Sequence, residues 1–507
     1  MAEKNIIELR KEKAKKWKEQ GFNPYAYRYE TNTTIGELIE KFGKTKTEEE
    51  REKETLPEEE FSIAGRIVSM RIMGKAAFFH IQDSTGKIQC YIRRDDVGAE
   101  FYNKVFKKLI DIGDIVGIKG KLFRTRTGEL TLEVKELTPL TKSLRPLPEK
   151  WHGLKDVEKR YRQRYLDLIV NPEVREIFKT RSKLIQKIRD FLNSKGFMEV
   201  ETPILQTVAS GAAAKPFITH YNALDIDVYL RIAPELYLKR LIVGGLDRVY
   251  EIGRNFRNEG ISTRHNPEFT MLEWYMAYAD YYDLMEMTEE LFEYLLDEIK
   301  GKGVRELEYQ GKKLSFERPW KRISFIGELS KKTGLTEEEL LHDEEKVLEA
   351  AKKFGVEKPE KLSHFKRVQE LFEILVEPEL IQPTFVIDFP KAISPLAKEK
   401  RDNPELVERF ELFICGQEIA NAYTELNNPE EQAKRFMQQL QEKAKGDDEA
   451  MAYDEDFVRA LEYGMPPTAG EGIGIDRLTM LFTDKDSIRE VLLFPQLKPE
   501  KKEEDNE

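Results

Sequence analysis

Apolar and polar residues alternate in five short runs between Phe61 and Leu140: FSIAGRIVSMRI, AAFFHIQD, KIQCYIRR, DIVGIKGKLFRT and LTLEVKELTPL. Gly74, Gly86, Gly113, Gly120 and Gly128 punctuate them. A period of two predicts half-buried strands. Five such strands in so short a span, with a helical stretch from Ala99 to Leu109 between the third and fourth, predict a small closed barrel of the OB type. Phe78 and Phe79 are consecutive, so one of the two must be core.

Helical period appears at residues 1 to about 20, where Ile6, Leu9 and Trp17 are too few for a deep stripe. It returns from Glu173 to Lys195, with Val174, Ile177, Phe178, Leu184, Ile185, Ile188 and Leu192, and Gly196 stops that helix. Strand signals follow from Gly211 to Tyr275. Then come an amphipathic helix from about Tyr282 to Lys300, a β-turn unit at 301–319, and a mainly helical stretch from Arg322 to about Leu380. Pro383–Phe389 and Phe410–Leu426 each read as a strand, Glu430 to about Lys445 as a polar helix, and Met451–Tyr463 as a helix. No βαβ rhythm and no GxGxxG after a strand is present. The pattern therefore predicts an α+β chain whose larger part is a mostly antiparallel sheet flanked by helices. The expected organisation is an N-terminal helical extension at 1–60, the barrel at 61–141, a linker at 142–172, the larger domain at 173–495 with its helical insertion near 322–380, and a disordered tail at 496–507.

Composition narrows this picture only in places. No apolar run is long enough for a membrane span, and the N-terminus lacks the apolar core of a signal peptide, so a cytoplasmic protein with no membrane partner is expected. Two distant cysteines, Cys90 and Cys415, argue for a reducing compartment and against a cysteine zinc site. The net charge of −11 counts against bulk attraction to nucleic acid, but a partner sees a patch and not the sum. The linker supplies such a patch: Lys142, Arg145, Lys150, Lys155, Lys159, Arg160, Arg162 and Arg164 outnumber Glu149, Asp156 and Glu158. It could track an RNA backbone or be an ordinary exposed face.

The candidate chemistry is concentrated in RVYEIGRNFRNEGISTRHNPEFTMLEWY, from Arg248 to Tyr275. Two strands are expected here, joined by a long loop, with Arg257 and Glu259 two apart at the end of the first. Long hairpin loops are often functional. Arg257, Arg264 and His265 could hold a phosphate or carboxylate, because a guanidinium matches two oxygens at once. Phe269 could stack on a base. Ordinary surface ion pairs on an exposed hairpin would explain the same residues, and the stretch alone leaves both readings open.

FRNEG followed by RHNPEF resembles motif 2 of the class II aminoacyl-tRNA synthetases. Gly470-Glu471-Gly472-Ile473-Gly474-Ile475-Asp476-Arg477-Leu478 resembles their motif 3, and Gly196–Leu205 their motif 1. Ser210-Gly211-Ala212, Ala233-Pro234-Glu235 and EIANAYTELN from Glu418 to Asn427 resemble the lysyl branch of that family. The resemblance implies a lysine–tRNA ligase whose substrates are ATP, L-lysine and tRNA(Lys). In that reading Arg257 bridges the substrate carboxylate and the α-phosphate, and Arg257 and Arg477 are catalytic. Glu259 accepts the adenine amino group, Phe269 and Arg477 sandwich the ring, Arg264 and His265 meet the outer phosphates, and Asn266 makes a backbone or ribose contact. Lysine falls to Gly211, Glu235, Arg257, Glu273, Tyr275, Asn421, Tyr423 and Glu425, with Glu235 on the α-ammonium and Glu425 on the ε-ammonium. Glu411 and Glu418 match magnesium ligands, with up to three Mg²⁺ per site implied. Seven apart, they need a bulge or bend to share a face. Phe78, Gln89 and Glu129 match anticodon-reading positions. The motif 1 helix implies a homodimer. Glu471, between glycines where relatives often carry a small or uncharged residue, is expected to point to solvent.

Three rivals compete with this reading. An aspartyl or asparaginyl enzyme would want a cation where Glu425 stands. A relative that transfers lysine to a protein would lack the barrel. A catalytically dead RNA-binding protein would not need Arg257, Glu259, Phe269, Glu411, Glu418 and Arg477 together.

Overall fold

The computed structural model describes residues 2–148, 154–444 and 450–500. The linker expectation at 149–153, the end of the polar helix at Lys445 and the tail beyond Glu500 lie outside the described residues. The chain divides into two compact units, Met1–Lys155 and Asp156–Glu507.

In the first unit, β1 (Phe61–Met73), β2 (Ala76–Gln82), β3 (Lys87–Arg93), β4 (Ile115–Arg124) and β5 (Leu130–Thr141) close into a barrel in the order β1-β2-β3-β5-β4. Strict alternation fills its inside: Ala77, Phe79 and Ile81 of β2 and Ile88, Cys90 and Ile92 of β3 are all buried. That assigns Phe79 to the core and leaves Phe78 on the outer face. The N-terminal helix, Ala2–Glu19, is held more firmly than its sparse apolar residues suggest. Trp17 is fully buried in the barrel's core cluster, and its Nε1–H donates to the Leu109 carbonyl at 3.2 Å. Ile35–Phe42, which carries no strong signal in the sequence, is a second helix with a Thr34–Glu37 capping box.

The basic linker is partly structural. Lys142 is buried and donates to Asp114 at 2.8 Å within the first unit. In the second unit Arg164 is fully buried against Asp167 and against the carbonyls of Arg489, Leu492 and Leu493. Neither side chain adds to an exposed patch.

The second unit is built on an eight-stranded sheet. Its strands are β6 (Met198–Glu199), β10 (Arg248–Phe256), β11 (Glu268–Ala277), β14 (Lys321–Ser324), β15 (Thr384–Pro390), β16 (Leu406–Ile414), β17 (Gln417–Thr424) and β18 (Thr468–Gly474). They run in the order β14-β15-β16-β17-β18-β11-β10-β6. Only the two outermost pairs, β14–β15 and β6–β10, are parallel. A small sheet of β7 (Leu205–Gln206), β8 (Phe217–Tyr221) and β9 (Ile226–Leu230) and a hairpin of β12 (Glu306–Tyr309) and β13 (Lys312–Ser315) complete the strands. Helices Pro172–Ser194, Tyr281–Ile299 and Ile475–Thr483 pack on one face of the large sheet and form the main core with it.

Four expectations change here. Phe410–Leu426 is not one strand but the hairpin β16–β17, turned at Cys415 and Gly416, both at positive φ. Within Gly211–Tyr275 a helix, Glu235–Val243, interrupts the strands. The helical insertion starts after β14, which belongs to the catalytic sheet. Glu471 does not point to solvent: it is 1% exposed, and Thr288 Oγ1 lies 2.8 Å from both carboxylate oxygens. Because β18 alternates, Gly470, Gly472 and Gly474 take one face and Glu471 the other, toward the Tyr281–Ile299 helix. Burial there pushes its carboxyl well above the ordinary range.

Candidate active site

Strand register assembles the site. Glu273, Gly472, Asn421 and Glu411 form one row across β11, β18, β17 and β16. Tyr275, Gly470, Tyr423 and Arg409 form the next. Phe269, Met271, Glu273 and Tyr275 alternate onto this same face, while Gly470, Gly472 and Gly474 leave the middle strand bare. A cavity of about 370 Å³ lies over that bare strip, a size typical of small-molecule sites.

Almost every residue singled out in the sequence lines this cavity. Arg257, Glu259, Arg264, His265, Asn266, Phe269, Glu411, Glu418 and Arg477 lie there, together with Gly211, Glu235, Glu273, Tyr275, Asn421 and Tyr423. The β10–β11 hairpin pairs from Arg248↔Met276 to Phe256↔Glu268, so its loop begins at Arg257. Arg257 and Glu259 thus lie just past the strand and not on it. The Arg257 guanidinium sits 5.0 Å from the centroid of the Phe269 ring, and its Nε is buried with no hydrogen-bond partner. Ser262 Oγ, 3.0 Å from His265 Nδ1, orders the loop. Burial, followed by the positive charge of Arg477, lowers the His265 pKa. Asn266 has its amide spent inside the protein, on the Glu268 carbonyl and the Gln496 N–H.

Glu411 and Glu418 share the cavity because the β16–β17 register shifts between Leu412 and Phe413, the irregularity their odd spacing requires. Arg477 Nη1 donates to the Glu418 carbonyl at 2.7 Å and lies 3.3 Å from its carboxylate. Burial first, and then the charge of Glu418, push Glu411 up to about 7 against the opposing Arg409. Glu377, from the insertion, is raised to about 8 by burial and by Glu373, Glu411 and Glu418. Clustered carboxyls give this end of the cavity hard oxygen donors, which fit a magnesium ion. Among the described residues no group of three or more His, Cys, Asp or Glu could hold a metal. Two carboxylates would leave the remaining positions to phosphate oxygens and water.

The opposite end is narrower and more buried. Glu235 is 4% exposed and receives a 3.2 Å hydrogen bond from Tyr423. Glu273 receives one from Tyr275 at 3.1 Å, and burial raises it to about 8. Glu425 is the exception among the expected residues. It is fully buried, and its Oε1 and the Tyr275 ring fill the space over Gly470. Its Oε2 is ion-paired to Lys239, and its Oε1 has no hydrogen-bond partner. A Cβ on Gly470 would come 2.3 Å from that Oε1 and 2.3 Å from the Tyr275 ring. Gly470→Ala must therefore displace one or both. We expect it to cost about 1–3 kcal/mol of amino-acid affinity, seen as a raised amino-acid KM in ATP–pyrophosphate exchange with the ATP KM little changed.

Lys239, which pairs with both Glu235 and Glu425, is the residue the sequence reading missed. Its signal was present, because it follows Glu235 by four residues, the spacing of a helical ion pair. Reading the region as strands concealed it.

In the first unit, Phe78, Gln89 and Glu129 come together on the outer barrel face. The Phe78 and Tyr91 rings are 4.6 Å apart, Gln89 Nε2 donates to Glu129 at 3.0 Å, and His80 lies 3.4 Å from the same carboxylate. Tyr91 and His80 join a cluster that the resemblance alone did not name.

Comparison with known proteins agrees with this geometry. Residues 156–498 match the family described as tRNA synthetases class II (D, K and N), and residues 61–140 match the OB-fold nucleic acid binding domain. A lysine–tRNA ligase of Aquifex aeolicus is 61% identical over 88% of this chain and 74% of that protein. Those of Pelotomaculum thermopropionicum and Carboxydothermus hydrogenoformans are 54% and 53% identical, each over 97% of this chain and 95% and 98% of theirs. The chain belongs to the class II tRNA synthetases of the D, K and N group.

Proposed function

We propose that the protein is a lysine–tRNA ligase that activates L-lysine with ATP and transfers it to the 3′ end of tRNA(Lys). The observation that carries this reading is the polarity of one cavity. Arg257 stands between a phosphate end, with Arg264, His265, Glu411, Glu418 and Arg477, and an amino-acid end closed by Glu235 and, over Gly470, Glu425. Paired carboxylates at the inner end suit a substrate with two ammonium groups and disfavour aspartate and asparagine.

The first step forms a bond between the lysine carboxylate oxygen and the α-phosphorus of ATP as the bond to pyrophosphate breaks. Arg257 holds both partners with one planar fork and meets the charge that develops on the α-phosphoryl oxygens. Glu259 accepts the adenine amino group, while Phe269 and Arg477 enclose the ring. Arg264 and His265 orient the outer phosphates. Asn266, its amide already satisfied, shapes the loop and offers only backbone. Glu411 and Glu418 would hold Mg²⁺, which when bound offsets the charge of the phosphates. In the second step a terminal ribose hydroxyl of tRNA attacks the acyl carbon, and AMP leaves. Positioning carries both steps, so no protein nucleophile is needed.

The barrel face reads the anticodon, with Phe78 stacking a base and Gln89 and Glu129 bonding uridine edges. Phe78→Ala should raise the tRNA KM by about tenfold, within the 1–3 kcal/mol typical of a base–aromatic stack, with lysine-dependent exchange unchanged. The pair also assigns the roles separately, since aminoacylation and exchange would fall together if Phe78 served only the fold.

A homodimer completes the assembly. The apolar stripe of the Pro172–Ser194 helix is spent inside the chain. Apolar surface remains on the strands after it, where Met198, Ile204, Leu205, Ile218 and Leu224 are each more than 40% exposed. A second copy would cover them. No helix among the described residues is long and apolar enough to cross a membrane, in keeping with a cytoplasmic enzyme. Charging of tRNA with labelled lysine tests the whole reading. Lysyl-tRNA formation is expected, and charging with another amino acid alone would overturn it.

A further inference from the structure

Lys239 is fully buried on the Glu235–Val243 helix. Its ammonium lies 2.6 Å from Glu235 Oε1 and is ion-paired with Glu425 Oε2. The rings of Tyr423 and Phe457 flank it at 5.8 and 5.9 Å. One protein cation thus joins the two carboxylates that face the two ends of the amino acid. We propose that Lys239 is a positioning residue for amino-acid selection: a resident ammonium that ties Glu235 to Glu425, sets a fixed positive charge against Glu425, and so makes a charged side-chain terminus a requirement of the pocket. This rests on the ligase reading above.

The physical argument concerns Glu425. A carboxyl with no exposure and no cation beside it takes up a proton. Burial raises Glu425 well above the ordinary carboxyl range even with Lys239 beside it, and Lys239 is what opposes that rise. Glu235 and Glu273, the other carboxyls acting on Glu425, push it the same way as burial. The two carboxylates in turn hold Lys239 protonated despite its own burial. With Lys239 in place, Oε2 faces its ammonium, while Oε1, over Gly470 and beside Tyr275, has no hydrogen-bond partner within the chain. Without it, Glu425 shifts further toward the neutral acid, which tolerates an uncharged side chain. Lys239 would then control discrimination between lysine and an uncharged isostere without touching either.

A purely structural cross-link predicts something different, namely a lower melting temperature with all kinetic constants shifted together and discrimination intact. The test is Lys239→Met in the full chain, followed by ATP–pyrophosphate exchange with lysine and with 2-aminohexanoate, which replaces the ammonium by a methyl group. The lysine KM should rise by about 30-fold or more, the scale of removing one partner from a buried charge pair, with kcat and the ATP KM within about threefold. The preference for lysine over 2-aminohexanoate should fall at least about tenfold. Lys239→Arg, which keeps the charge, should restore the preference.

A folded Lys239→Met with wild-type preference overturns the proposal. If the Met variant does not fold, Lys239→Arg decides alone: retained preference supports the proposal, and a folded Arg variant that has lost it overturns the proposal. If the wild-type protein itself shows no lysine-dependent exchange, the ligase reading fails, which is a separate result.

Discussion

Arg257→Ala lowers kcat/KM for lysine-dependent ATP–pyrophosphate exchange by about a thousandfold or more, the range seen when a donor aimed at developing phosphoryl or oxyanion charge is removed. The reason is its place in the cavity. Arg257 begins the β10–β11 loop, beside the ring of Phe269, between the phosphate end and the amino-acid end. Its Nε is buried and unpartnered within the chain. Arg257→Lys should recover only part of the loss, because an ammonium is a point charge and cannot bridge two oxygens in a plane. Folding should be intact in both, with circular dichroism and melting temperature near wild type. A fall below about tenfold for the alanine variant would remove Arg257 from the centre of the reaction.

Glu425→Gln is the second large effect. The carboxylate is fully buried, one oxygen faces Lys239 and the other is open beside Gly470. The amide keeps the shape and removes the charge. The lysine KM should rise by about 100-fold, consistent with the 2–5 kcal/mol cost of leaving one partner of a buried charge pair alone, while the ATP KM stays within about twofold. The same change should abolish the lysine-induced rise in melting temperature, since stabilisation by a ligand scales with the ratio of its concentration to its Kd. A lysine KM within about threefold of wild type would mean that the ε-ammonium is held elsewhere, with Glu273 the alternative carboxyl.

The outline of both units was legible in the sequence because strand alternation is strict where it matters. β2 and β3 of the barrel bury every second residue. The β10–β11 hairpin sits where its aromatic and β-branched residues place it. The glycines of β18 mark a bare strip with equal clarity. Alternation also implies that Glu471 opposes them. What it could not show was that a carboxyl would be placed in the apolar layer under the Tyr281–Ile299 helix, where only Thr288 meets it. The β16–β17 turn was hidden because Cys415-Gly416 lacks the Asn-Gly or Asp-Gly signature of tight hairpins. The Glu235–Val243 helix was hidden because its nine residues are short and apolar on several sides, so period alone does not separate it from a strand. That one misreading removed Lys239 from view. The insertion carries no motif, yet it brings Glu377 and Glu373 up to Glu411 and Glu418, a contact between segments distant in sequence that no local pattern encodes.

The most direct measurement is amino-acid-dependent exchange of labelled pyrophosphate into ATP. It is run with each of the twenty amino acids, with Mg²⁺ and without tRNA. The account predicts exchange with lysine alone. Exchange with aspartate or asparagine would keep the fold and the role of Arg257 but contradict Glu235 and Glu425 as ammonium ligands. No exchange with any amino acid, from folded protein that still binds ATP, would contradict the ligase itself and leave an RNA-binding protein that keeps the cavity without its chemistry.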